Sequence, residues 1–568
     1  MSVDKPKILA FLLVLMMTTA AAIFIANQVL SFQAYPFDYD EANHANGALA
    51  LFLELRAGDL TGFIAEFFNQ GFYPPGFSLL KALAYVSFGN STLTARLFSV
   101  TAFFLAMIAI YAVPLEIDER YGWLAGLIGV TLTLTIQPLL VTSAMVMMEM
   151  PGLLATFALI WLYLRALKEP TNGRLLAVGL LLVMTFLTKY TYGVMVVGAL
   201  VLMELSLLFA NGDENAPPAN GLRDNFASAL PRWVWLFGPF LLFLIIWFFL
   251  AGNYQGFLSY ASAQPPGQPW VTRENLFFYP LTFKNQFLPH PFFVLFSLIS
   301  LLWAFWRWRN PGVRFLLIYF LVGSLVMTVN LPKNPRFIVT VAPALHTLTG
   351  LLIAGAAAKF HSQASWVRSA SYLLVALFSI GFIFSLPVLS ERYLAYPSLM
   401  EVEYETSPRS REMVSWILET IPPGQRFYIL NYWDQLSPER FAWHLAEEHI
   451  QEWDNPSFED FLQPAALVKE PTMENISDLR DEILESGVNY LVLFEGGAWG
   501  LPFWPEYNQA MNDVLEPLAR QDFQVSYYDT EGWQDSELLV RDSWERVKAE
   551  SRYTLDIAII VYRVHQSQ

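Results

Sequence analysis

Eleven apolar stretches of roughly membrane-spanning length occupy the first 390 residues, and they set the class of fold before any single side chain is considered. A hydrocarbon core of ~30 Å takes ~20 residues of helix at 1.5 Å each, and backbone buried in lipid must satisfy its own hydrogen bonds, so each stretch reads as a helix. The stretches run over 8–30, 95–115, 123–141, 150–166, 174–188, 191–210, 232–251, 291–306, 313–329, 337–357 and 369–389. The first has Lys5 and Lys7 before it and small residues at Ala20 to Ala22, as a signal peptide does. Its apolar run continues to Leu30, which makes it an uncleaved anchor.

Charge divides the chain a second way. Residues 391–568 carry 33 acids against 13 bases, whereas the first 390 carry 21 bases against 17 acids, so two parts with different solvents meet near Leu389. Neither suits nucleic acid, because the tail is acidic and the front has no basic stripe to neutralise successive phosphates. Cysteine is absent, which removes disulfides, thiolate nucleophiles and Cys-based zinc sites. His444 and His449 are five apart, one more than a zinc-binding pair on a helix requires.

With the N-terminus inside, Arg165, Lys168, Arg174, Arg307, Arg309, Arg314, Lys359 and Arg368 all fall on cytoplasmic segments, as the positive-inside rule asks. An odd number of spans then places residues 391–568 outside the cell membrane, together with loops 31–94 and 252–290. Within the first loop, 41–57 and 76–88 show helical apolar spacing over short lengths and are expected to lie on the membrane surface. The second loop, with Trp270, Phe277, Phe278, Tyr279 and Phe287, suits an interfacial lid or an aromatic belt. The acidic tail alternates helical runs (SREMVSWILETI, SPERFAWHLAEE) with strand runs (RFYIL, NYLVLF, DIAIIVYRV), the pattern of a small α/β domain. Its EGGAWG glycines do not make a phosphate-cradling loop. The sequons at Asn90 and Asn475 merely permit glycosylation.

Ionisable residues at membrane depth are costly and therefore point to function. Four groups stand at the outer face. FDYDEANHANG puts Asp38, Asp40 and Glu41 after the first span, where adjacent carboxylates can act as a base and a cation ligand. AMVMMEMPG carries Glu149 at the outer end of the fourth span. TKYTYG holds Lys189 in a turn between two spans, and NLPKNPRF brings Lys333 and Arg336 to the start of the tenth. Acids for proton work and bases for an anion at one depth describe an enzyme acting on a lipid phosphate.

These residues resemble the GT-C glycosyltransferases of the protein mannosyltransferase and aminoarabinose transferase type, which use polyprenyl-phosphate sugars. YDEANHANGALALFLELRAGD resembles the family's Asp-Glu motif and the helix after it, and YPPGFSLLKALAYVSFGNSTLTARLFS its Pro-Pro segment, Gly and downstream Arg. MEMPGLLATFALIWLYLRAL is similar to the second acidic site, FLTKYTYG to the Thr-Lys turn and KNPRFIVTVAPAL to the late Lys/Arg-Pro element. Five motifs in order, over about residues 8–357, carry the resemblance. It implies an inverting transfer of a sugar from a polyprenyl-phosphate donor to an extracytoplasmic protein, glycan or lipid. Asp40 is then the general base and Glu41 its partner. Glu149 orients the acceptor or a cation, and Lys189, Lys333 and Arg336 hold the leaving phosphate. A Lys common before the Pro-Pro pair is Tyr73 here, so that phosphate contact is absent or falls to Lys81 or Arg96. An aromatic common after the Asp-Glu pair is replaced around Asn43 and His44, on the acceptor side. A divalent cation such as Mg or Mn, held by Asp40 and Glu149, is left open.

Two rival classes share parts of this pattern. A secondary transporter also has many spans and buried charges, but it is expected to show paired repeats, and none is present. A GT-C-like subunit without catalysis, serving assembly through its external domain, fits the departures at Tyr73 and His44.

Overall fold

The computed structural model of the protein describes residues 5–31, 37, 39–70, 72–210, 222–262, 272–330, 333–360, 364–394, 416–421, 425–429, 438–449, 465–467, 483, 487–495, 519–528, 538–539, 546–547 and 556–564. The chain divides into two compact units. One comprises Met1–Ser31, Asp59–Gly89 and Leu93–Pro397, and the other Phe32–Gly58, Asn90–Thr92 and Ser398–Gln568. Among the sequence features above, Asp38, Trp270, Asn475 and residues 496–500 of EGGAWG lie outside the described residues.

The first unit is helical. Its helices are α1 (Lys5–Ser31), α3 (Leu60–Asn69), α4 (Gly76–Phe88), α5 (Thr92–Ile117), α6 (Gly122–Thr133), α7 (Gln137–Ala144), α8 (Glu149–Lys168), α9 (Asn172–Thr188) and α10 (Tyr190–Ala210). They continue as α11 (Leu222–Leu244), α12 (Tyr254–Ser262), α13 (Arg273–Thr282), α14 (Phe293–Trp306), α15 (Pro311–Val329), α16 (Ala342–Ala357) and α17 (Ser365–Leu394). Seven of the described helices are long and apolar enough to cross a membrane, and α6 with α7, bent by 75° at a break, makes an eighth if the pair is one span. The other three expected spans coincide with α9, α14 and α16, which are apolar but shorter. The protein is thus a multi-pass membrane protein. The most apolar windows of α8 and α15 are 61% buried against 17% for α11 and α17, so the former pair is central and the latter faces lipid.

The break between α6 and α7 has a cause in sequence and a remedy in structure. Pro138 occupies the first turn of α7, a position proline favours while disfavouring helix before it. Carbonyls freed at such a break need partners in a membrane. Arg392 donates through Nη1 to the Thr135 carbonyl at 3.0 Å, and the Tyr393 hydroxyl donates to the Leu134 carbonyl at 3.0 Å. The end of α17 therefore repairs the break.

The two expected surface helices differ from one another. In α4, Phe77, Lys81, Ala82 and Tyr85 are buried while Leu83, Val86 and Phe88 are exposed, so one side packs and the other is left apolar. The segment 41–57 becomes α2 (Tyr39–Ala57) of the other unit, buried from Glu41 through Leu53 at most positions. Its Ala42, Ala45, Gly47 and Ala48 permit close packing on all sides, which an interfacial helix does not need. α3 has no buried residue and is capped by Asp59, whose carboxylate accepts from the Thr61 and Gly62 amides at 2.9 Å.

The second unit holds a mixed sheet of five strands in the order β2-β1-β3-β7-β4. These are β1 (Phe427–Ile429), β2 (Ala465–Leu467), β3 (Tyr490–Glu495), β4 (Ala519–Tyr528) and β7 (Asp556–Val564), while β5 (Leu538–Leu539) and β6 (Arg546–Val547) pair separately. The three short strands run parallel, and β7 lies antiparallel between β3 and β4 with Val492 opposite Val561. α2 packs on the helix Pro438–His449. From that helix Glu447 accepts from the Thr92 amide at 2.8 Å, and the Trp443 indole donates to the Thr92 hydroxyl at 3.2 Å. The Asn90 amide donates to the Ala446 carbonyl at 3.2 Å, which occupies the first sequon's nitrogen.

Candidate functional site

Three breaks in the helical unit bring charged side chains together. Glu149 opens α8, where the positive end of the helix dipole favours a carboxylate. Lys189 is the single extended residue between α9 and α10, with φ −159° and ψ 127°. Arg336 lies in a 3-10 turn, Pro335–Ile338, held by Asn334, whose side chain accepts from the Arg336 amide at 3.0 Å.

The Lys189 ammonium donates to Glu149 Oε1 at 2.9 Å, and Arg336 Nε stands 4.0 Å from the same oxygen. Glu149 and Lys189 side chains are 2% and 6% exposed, whereas Arg336 is 21% exposed. Among the described residues one carboxylate meets two cations here, and the more accessible of the two is the guanidinium. Aromatic rings line the group: Lys189 Nζ is 4.5 Å from the Phe337 centroid and 5.2 Å from that of Tyr192, and Arg336 is 5.4 Å from Phe337. Their negative faces hold cations without neutralising them. Arg336 Nη1 also lies 3.7 Å from the Met147 sulfur.

Glycine makes the approach feasible. A Cβ on Gly152 would lie 2.3 Å from the Tyr192 ring, so only glycine lets α10 begin this close to α8. Likewise a Cβ on Gly76 would meet the Leu187 carbonyl at 2.8 Å, which seats the Tyr-Pro-Pro-Gly turn on the end of α9, two residues before Lys189.

The remaining sequence candidates have surroundings of their own. Lys333 commits its ammonium to the end of α15, donating to the carbonyls of Met327 at 3.0 Å, Thr328 at 2.7 Å and Asn330. Three donors meet three acceptors, so the side chain caps a helix rather than presenting itself to phosphate. Burial pushes its pKa down to about 8. Lys81 is buried in α4 with its ammonium 3.9 Å from the Phe77 ring, and Arg96 is fully buried in the first turns of α5. Tyr73 is half-buried, its ring 4.8 Å from that of Phe72. Asp40, Glu41 and His44 stand in the first two turns of α2 in the other unit, Asp40 half-buried and the other two buried. In the loop 252–290, Tyr279 and Phe287 are buried and Phe277 is exposed.

The cation left open for Glu149 does not fit these surroundings. A divalent ion at a carboxylate already facing Lys189 and Arg336 would meet two like charges. Among the described residues no three of His, Asp and Glu converge as ligands. Met147, Phe337 and Gly152 are site residues that the sequence reading passed over; the first two adjoin recognised charges and Gly152 follows Glu149 by three.

Residues 73–214, about a quarter of the chain, match the family described as dolichyl-phosphate-mannose-protein mannosyltransferase. No curated protein sequence matches the chain. Among solved structures, ArnT from Cupriavidus metallidurans bound to undecaprenyl phosphate is similar at TM-score 0.56, with 14% identity over 96% of this chain and 97% of that one. AglB, an archaeal oligosaccharyltransferase from Archaeoglobus fulgidus in complex with an inhibitory peptide and a dolichol-phosphate, is similar at TM-score 0.53, with 12% identity over 91% of this chain and 73% of that one. The chain thus has the GT-C fold of these glycosyltransferases, and over residues 73–214 it matches the mannosyltransferase family that uses it.

Proposed function

We propose that the protein transfers a sugar from a polyprenyl-phosphate donor to an extracytoplasmic acceptor, with inversion at the anomeric carbon. The observation that carries this reading is the Lys189–Glu149–Arg336 group: a lipid phosphate needs cations at one membrane face, and here two converge on one carboxylate. Fold neighbours solved with undecaprenyl phosphate or dolichol-phosphate bound support the choice of donor. With the N-terminus inside, the group faces outward and residues 391–568 form an external domain.

In the reaction the acceptor hydroxyl or amine forms a bond to the anomeric carbon as the bond from that carbon to the phosphate oxygen breaks. Negative charge grows on the leaving phosphate, and the partly exposed guanidinium of Arg336 and the Lys189 ammonium stabilise it. Glu149 holds both cations in place before the donor arrives. By resemblance, Asp40 takes the acceptor's proton and Glu41 tunes it; His44 and Tyr73 border the acceptor, and Lys81 or Arg96 supplies the remaining phosphate contact.

A turnover series on purified protein with polyprenyl-phosphate sugars tests the roles. Asp40→Asn is expected to lose ~10²- to 10⁴-fold in rate, as removal of a general base does, Glu41→Gln less, and Asp38→Asn almost nothing. Parent-like turnover by Asp40→Asn sinks the base assignment, and no donor consumption by the parent with any acceptor class sinks the transferase reading.

A further inference from the structure

A second buried charge group lies within the helical unit, well away from Glu149. Tyr163 is 14 residues beyond Glu149 along α8, Glu204 is 14 beyond Tyr190 along α10, and Arg314 is 16 before Asn330 in α15. At 1.5 Å per residue these offsets are roughly 21 to 24 Å, close to the other side of a ~30 Å core. Glu204 accepts from the Tyr163 hydroxyl at 2.6 Å, from the Trp233 indole at 2.8 Å and from Arg232. Arg314 is near enough to Tyr163 to act on it electrostatically and lies 5.9 Å from the Trp308 ring.

The charges in this group do not balance. Two guanidiniums act electrostatically on Tyr163, and the one carboxylate bonded to it, Glu204, already accepts from three donors. Arg314 is 4% exposed, and the Nε groups of Arg232 and Arg314 are buried without a hydrogen-bond acceptor. An unmatched guanidinium is costly at membrane depth unless an anion completes it. Arg232, with its side chain 28% exposed, opens the group to the surface. Close by in sequence, exposed Trp306 and Trp308 alternate with exposed Arg307 and Arg309, the composition of a segment at headgroup level.

We infer that Arg314 and Arg232 bind the phosphodiester of an anionic phospholipid at the end of the helical unit opposite Glu149. Guanidinium forks match phosphate oxygens in pairs, and basic pockets between membrane helices take such headgroups. The missing acceptor is supplied by the lipid, which joins α8, α10, α11 and α15 at that face. This site is independent of the donor reading, because structural lipid stabilises the fold whether or not the protein transfers sugar.

The test is thermal unfolding of the delipidated full chain in neutral detergent, titrated with phosphatidylglycerol, phosphatidylcholine or inorganic phosphate. The parent is expected to show a saturable rise in Tm with phosphatidylglycerol alone. Arg314→Gln is expected to weaken that titration by on the order of tenfold or more, the loss of a charge-assisted contact. Without lipid, Arg314→Gln should unfold no lower than the parent, since it removes an uncompensated charge. Arg309→Gln, on the exposed rim, should titrate like the parent. Equal response to phosphatidylcholine, an equal shift with inorganic phosphate, an unaltered titration of Arg314→Gln, or equal weakening by Arg309→Gln would each overturn the inference.

Discussion

Glu149→Gln removes the one negative charge from a group of three and leaves its shape intact. The Lys189 ammonium then loses its 2.9 Å partner while remaining 6% exposed, and Arg336 loses a carboxylate oxygen at 4.0 Å. Removing one member of a buried pair typically costs ~3–5 kcal/mol, because the survivor stays desolvated. Arg336 is partly solvated and adds little, so about 3 kcal/mol is expected. Replacing both partners, as Glu149→Gln with Lys189→Met, removes the stranded charge and should recover most of that loss. The assay is a double-mutant cycle by denaturant unfolding in detergent, repeated with polyprenyl phosphate, whose anion should offset part of the Glu149→Gln loss. A Glu149→Gln variant within about 0.5 kcal/mol of the parent, a margin typical of uncoupled surface sites, would refute the argument, as would strict additivity in the cycle.

Other outcomes follow from the same geometry. Gly152→Ala places a methyl 2.3 Å from the Tyr192 ring, more than 1 Å inside ordinary contact, and should lower donor turnover by ~10²-fold through displacement of the Lys189 turn. Gly238→Ala, with nothing within 4 Å of its Cβ, should leave turnover unchanged. Lys333→Met uncaps α15 and should lower the Tm at neutral pH by an amount equivalent to ~1 kcal/mol. Because burial depresses the Lys333 pKa to about 8, the unfolded chain binds the proton more strongly, so this residue's contribution to stability rises with pH from about 8 towards its ordinary value near 10.5. The Tm difference between parent and Lys333→Met, followed from pH 7 to 10, checks the sign.

The membrane class, the positions of all eleven apolar stretches and the charged turns at Glu149, Lys189 and Arg336 were legible, because apolar run length and isolated charge are local signals. That Lys189 pairs with Glu149 was not, since the two are 40 residues apart and the pairing depends on Gly152 admitting Tyr192. Lys333 read like Arg336, yet the length of α15 decides that its ammonium reaches the last carbonyls. The apolar spacing of 41–57 marks a face of α2 but not what covers it, so its burial is not legible. The break at Pro138 was visible as a proline, while its repair by Arg392 lies some 250 residues away. Glu204 was overlooked because one acid does not spoil an apolar run.

The claim that Lys189 and Arg336 form a lipid-phosphate site is tested most directly by the affinity of the purified protein for polyprenyl phosphate. Lys189→Ala and Arg336→Ala should each weaken binding by roughly 10- to 100-fold, matching charge-assisted contacts of about 1.5–3 kcal/mol, with unfolding curves confirming that both variants are folded. Unchanged affinity in both folded variants would contradict the account and leave these residues as membrane anchors.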